Sequence, residues 1–170
     1  MGTPLQEAVR TGGDREIDIL RRLLDEDADP DEASAADDWP PLHIAVSLGQ
    51  LACVTALLQA GAEPDTLVNH RRGAPAAAAA SSRKDHRSRA SGKQSSRTSA
   101  LHLALEHPDA LATEICAQLL HEGGADPLVR NGSGCTPASV ASATKRHPQA
   151  SFLLQREQEV AHQTALLSHQ

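Results

Sequence analysis

The chain is 170 residues long, enough for one domain, and carries 29 alanines and 21 leucines beside one Phe, one Trp and no Tyr. A core so poor in aromatic and β-branched side chains argues against a sheet-based fold and for helices packed closely through small residues, and no apolar run of about 18 residues or more supplies a membrane-spanning helix. The net charge of −6 hides a segregation: residues 25–38 hold eight acidic and no basic side chains, whereas residues 71–97 hold eight basic ones against Asp85 alone, which bears on partners and solvation and not on fold.

The opening Met1-Gly2-Thr3-Pro4-Leu5-Gln6 has no basic or apolar leader, and Gln6 stands where a myristoylation signal wants Ser or Thr. Thr3 reads as an N-cap whose hydroxyl accepts an orphan backbone N–H, and Pro4 as the first helical residue, its φ already set for the helix. A second helix over Ile17-Asp18-Ile19-Leu20-Arg21-Arg22-Leu23-Leu24 has charges suited to an outer face. After the acidic stretch and Trp39, the segment Pro40-Pro41-Leu42-His43-Ile44-Ala45 repeats the opening at an offset of 37. Leu42, Ala45 and Val46 line one face of a short helix that Gly49 ends. Leu51, Val54, Leu57 and Leu58 line a second, which Gly61 stops as a C′ residue. The pattern returns as Ser99-Ala100-Leu101-His102-Leu103-Ala104, 59 residues further on, and as Thr136-Pro137-Ala138-Ser139-Val140-Ala141 after another 37. A second marker, Asp27-Ala28-Asp29-Pro30, recurs as Gly61-Ala62-Glu63-Pro64 and Gly124-Ala125-Asp126-Pro127. From about Gln149, with Phe152, Leu153, Val160 and Leu167 among polar residues, the chain reads as an amphipathic C-terminal cap.

Thr-Pro-Leu-His-x-Ala followed by a leucine-rich helix and Gly-Ala-Asp resembles the ankyrin-repeat family, and the resemblance covers nearly all of the chain except residues 67–97. It implies an all-α ankyrin-repeat solenoid of about four stacked helix-turn-helix units, near 1–36, 37–66, 98–130 and 131–170, none of which buries its apolar face alone. It further implies that His43 and His102 tie turn to helix, so both, with Thr3, Pro4, Pro41, Gly61, Thr136 and Pro137, are structural. The departures are Ser99-Ala100 for Thr-Pro, extra residues around Pro108, the doubled Gly123-Gly124, and Ser139 where His is expected.

In such an architecture the loops between repeats form fingers along the edge of a concave binding face. Residues 67–97 read as a finger insertion that cannot bury enough surface to fold alone and is expected to be disordered. It serves as a solvated linker, as a localisation or docking tail through Arg71-Arg72 and Arg83-Lys84, or as a nucleic-acid contact; Ser88, Ser91 and Ser96 are placed for phosphorylation to cancel its charge. The acidic finger lies one repeat away, about 10 Å, comparable with the Debye length. Transient contact between the two, shielding part of the edge, is therefore expected, against the alternative that two solvated loops attract only weakly. Trp39 either packs on the neighbouring finger or stands exposed as an aromatic anchor, the residue type enriched at interface hot spots. The partner-binding candidates are Trp39 with Asp31, Glu32, Asp37 and Asp38 on the acidic finger, and Arg71, Arg72 and Arg97 on the basic insertion.

No Gly-rich phosphate loop, nucleophile elbow, His-Glu-x-x-His or paired-cysteine zinc spacing is present, so no catalytic, metal or cofactor-binding residue is assigned and no cofactor is expected. Cys135 sits in a turn with no His or Asp matched to it. Three cysteines, odd in number and far apart, suit a reduced, cytoplasmic or nuclear setting. The reading is a monomeric, non-catalytic protein–protein interaction module (adaptor, scaffold or inhibitor) that touches no membrane. The alternative is a nucleic-acid- or chromatin-associated adaptor using the insertion, although no aromatic side chain is interleaved there to stack on bases.

Overall fold

A computed structural model describes residues 2–33, 39–69, 97–145 and 147–167. The described residues form four helix pairs: α1 (Pro4–Thr11) with α2 (Asp14–Asp25), α3 (Pro41–Leu48) with α4 (Leu51–Gln59), α5 (Ala100–Ala104) with α6 (Asp109–His121), and α7 (Pro137–Ala143) with α8 (His147–Leu167). The first helices of successive pairs pack on one another (α1 on α3, α3 on α5, α5 on α7), and so do the second helices (α2 on α4, α4 on α6, α6 on α8). Two helix layers therefore enclose one continuous core. Leu5, Val9, Leu20, Leu42, Leu57, Leu101, Ile115, Leu119 and Leu153 lie fully buried between them. Burial of each such side chain stabilises the stack by about 1.5–3 kcal/mol.

The local signals work as their chemistry requires. Thr3 Oγ1 accepts from Gln6 N, while the Gln6 side chain returns a bond to Thr3 N, closing a capping box ahead of Pro4. Thr136 caps α7 in the same way, accepting from Ser139 N ahead of Pro137. Pro41 opens α3. Gly49 and Gly61, at φ of +72° and +90°, take the left-handed turns that end α3 and follow α4.

The described residues fit the all-α expectation, with one small two-stranded ladder added to the helices. Val68–Asn69 (β1) and Arg97–Thr98 (β2) pair antiparallel, Val68 with Thr98 and Asn69 with Arg97. Residues 68–69 and 97, near the two ends of the segment expected to be a disordered insertion, are thus held in a hairpin base, because adjacent extended strands satisfy their backbone groups by pairing. The remainder of that segment, and the disorder expected of it, lies outside the described residues.

Candidate partner-binding edge

The fingers are fixed by a recurring set of ties, each formed by a side chain near the start of a first helix reaching forward to the next turn. In α1, Gln6 Nε2 donates to the Trp39 carbonyl at 2.7 Å. In α3, His43 Nε2 donates to the Thr66 carbonyl at 2.8 Å. In α5, His102 Nε2 donates to the Cys135 carbonyl at 3.0 Å. Gln6 stands where the repeat pattern otherwise has His, and its amide does the same work. His43 and His102, expected to tie turn to helix, each make such a bond.

The two histidines differ at their other nitrogen. The Ser99 hydroxyl donates to His102 Nδ1 at 2.9 Å. At the matching place ahead of His43 stands Pro40, which has no hydroxyl, and His43 Nδ1 is buried with no hydrogen-bond partner. Burial pushes the His43 imidazole from its ordinary 6.5 down to about 4, against the opposing effect of the Thr66 bond. Burial lowers His102 as well, with the Cys135 bond opposing.

A second series of ties uses carboxylates. Asp31 accepts from Glu63 N at 3.0 and 3.2 Å, and Asp65 accepts from Asp126 N at 3.1 and 3.0 Å. Burial raises the pKa of both from the ordinary 3.8, the backbone N–H opposes, and neighbouring carboxylates (Asp29 and Glu63 for Asp31, Asp126 and Glu63 for Asp65) add to the rise. Asp29, Glu63 and Asp126, at equivalent places in successive turns, are exposed.

Against this frame the expected contact residues separate. Trp39 is not an exposed anchor: it is 1% exposed, and its indole N–H donates to the Asn69 carbonyl at 3.1 Å. Packing on the neighbouring finger wins because it removes a large apolar ring from water and still satisfies the ring's one donor. Asp31 is half-buried and committed to Glu63. Glu32 and Arg97 are exposed, and the Arg97 carbonyl also accepts from Gly132 N at 2.7 Å, joining the hairpin base to the next finger. Asp37, Asp38, Arg71 and Arg72 lie outside the described residues, as does any contact between the basic insertion and the acidic finger.

The ties not anticipated from sequence include those of Gln6, Asp31 and Asp65, and that of His107, whose Nε2 donates to the Val46 carbonyl at the end of α3. Asp29-Pro30-Asp31 and Glu63-Pro64-Asp65 recur 34 residues apart, so the carboxylate series had a readable signal. His107 had none. Among the described residues no group of three or more His, Cys, Asp or Glu is arranged to hold a metal ion. Cys53 and Cys116 are buried, and burial pushes the Cys116 thiol up to about 12, which makes it a poor nucleophile.

Residues 1–68 match the family model described as ankyrin repeats (3 copies). No curated protein matches the chain.

Proposed function

We propose that this chain, whose residues 1–68 match ankyrin repeats, a family whose repeats are generally protein–protein interaction modules, acts as a non-catalytic binding module, an adaptor, scaffold or inhibitor, engaging its partner along the finger edge. The observation that carries this reading is the row of exposed carboxylates Asp29, Glu63 and Asp126, set on turns already fixed by the Asp31 and Asp65 ties. An edge whose backbone is fixed before binding loses little conformational entropy on association, so its charges select a partner of opposite sign efficiently. Glu32 and Arg97 extend the same edge.

The test is capture of partners from extract by the intact chain and by a variant carrying Glu32→Gln, Glu63→Gln and Asp126→Asn, which leaves the ties in place. A partner retained by the intact chain and lost by the variant, with both melting alike, supports the reading. Equal retention overturns it. The nucleic-acid alternative draws on the eight basic residues of 71–97. It requires retention on immobilised DNA at moderate salt that disappears when residues 70–96 are deleted.

A further inference from the structure

The large apolar side chains that stand most exposed among the described residues are Ile19 at 50%, Leu128 at 40% and Leu154 at 43%. Single exposed leucines are ordinary on protein surfaces, but the positions of these three in the repeat are not arbitrary.

Ile19 lies four residues before the Leu23-Leu24 pair of its helix, as Cys53 lies before Leu57-Leu58, Ile115 before Leu119-Leu120 and Gln149 before Leu153-Leu154. That position faces backward: Gln149 Nε2 reaches Asp109 O at 2.7 Å and Thr113 Oγ1 at 3.0 Å, both on the outer helix of the preceding repeat. Cys53 and Ile115, at the equivalent position, are buried at 1% and 0% exposure. Only in the first repeat is the position open.

Leu154 is the counterpart of Leu58, which faces forward. A Cβ added at Gly123, in the turn after α6, would meet Leu58 Cδ2 at 2.8 Å, so Leu58 packs against the following repeat. Leu128 follows Pro127 as Asp31 follows Pro30 and Asp65 follows Pro64, and both aspartates reach forward to a backbone N–H of the next turn. All three exposed side chains therefore occupy places whose counterparts elsewhere in the stack are less exposed, through burial or a bond to the neighbouring repeat. One belongs to the backward-facing end and two to the forward-facing end.

We propose that the two ends recognise each other between copies of this chain: the forward-facing end of one molecule, with Leu128 and Leu154, docks on the backward-facing end of a second, with Ile19 and the half-buried Leu23, continuing the repeat series. The occupant is specified by continuity with an interface that the molecule already forms between its own repeats. The contact is head-to-tail, so each copy keeps one free end and assembly is open rather than closed. It is weaker than the internal interfaces for a stated reason. Leu128 replaces the aspartate that would accept from Asp29 N, the counterpart of Glu63 N and Asp126 N. A net charge of −6 per chain opposes association, so added salt strengthens it.

Sedimentation velocity on the full chain, from about 10 to about 500 μM in low and high salt, spans the range of such weak contacts. The expected result is a weight-average sedimentation coefficient that rises with concentration, more steeply in high salt. Ile19→Glu and Leu154→Glu, both at exposed places and checked by melting, each abolish the rise alone. Mixed in equal amounts they restore a complex that stops at the dimer, because one supplies an intact forward end and the other an intact backward end. Leu128→Asp, which supplies the missing acceptor, tightens association several-fold, whereas in an unregistered apolar contact it weakens it. A full chain that stays monomeric throughout overturns the proposal, as does a mixture without dimer, or weakening by Leu128→Asp.

Discussion

Lowering the pH delivers a proton to a site where His43 has no room for its charge. The ring is fully buried, its Nε2–H is committed to the Thr66 carbonyl, and Nδ1, which would carry the new proton, faces no acceptor. With the native pKa near 4 and the ordinary value 6.5 in the unfolded chain, the unfolded state binds more protons throughout that interval. His43 therefore contributes stability that is fully present above pH 6.5 and is lost as pH falls toward 4. The loss is about 2 kcal/mol between pH 7 and pH 5 and about 3 kcal/mol by pH 4.

Urea unfolding followed by far-UV circular dichroism at pH 7 and pH 5 measures it. The control is His43→Gln, because Gln6 shows that an amide makes the same forward bond and an amide does not titrate in this range. His102, also lowered, loses stability on acidification in the same direction, in both proteins. Asp31 and Asp65, whose pKa values are raised, act oppositely: they favour the fold below the ordinary 3.8, and this contribution disappears as pH rises through their native values. The difference between wild type and variant removes all three. If His43→Gln loses as much stability as wild type between pH 7 and pH 5, the reasoning fails.

Three further changes test two of the ties and one close contact between repeats. Pro40→Ser places a hydroxyl where Ser99 serves His102, and should raise stability at pH 7 by about 1 kcal/mol, read as a higher urea midpoint at unchanged m-value. Asp65→Ala removes the acceptor of Asp126 N and should cost about 1 kcal/mol, whereas Asp65→Asn, which keeps one acceptor oxygen, should cost less; equal losses would show that charge and not the bond matters. Gly123→Ala puts a Cβ 2.8 Å from both the Leu119 carbonyl and Leu58 Cδ2. Because the carbonyl belongs to the backbone of α6 and cannot swing away, a loss of about 2 kcal/mol in thermal or urea unfolding is expected.

What could be read from the sequence was what repeats within it. Thr3-Pro4, Thr136-Pro137 and the paired leucines announced helix starts and buried faces, since capping and periodicity act over three or four residues. For Trp39 packing and exposure both stayed open, because the choice between them depends on Asn69, 30 residues away, and nothing local says that the two meet. Asp31 and Asp65 were legible as a recurrence, but a carboxylate in an acidic run looks the same whether it is solvated or holds a backbone N–H. The extra residues around Pro108 signalled irregularity without revealing that His107 uses them to reach back to Val46. Equivalence between repeats, once the stack is built, also shows which positions are left uncovered at its ends, and no single repeat carries that information.

The burial of Trp39 has a practical side. The chain has no Tyr and no second Trp, so near-ultraviolet emission comes from one indole, held dry and bonded to the residue from which the chain departs into 70–96. Any event that loosens the hairpin base, whether a partner seizing the insertion or a modification of its serines, lets water reach that ring and moves its emission to longer wavelength. The protein thus carries its own label beside the hairpin base that flanks residues 70–96, and any loosening of that base can be followed without attaching a dye.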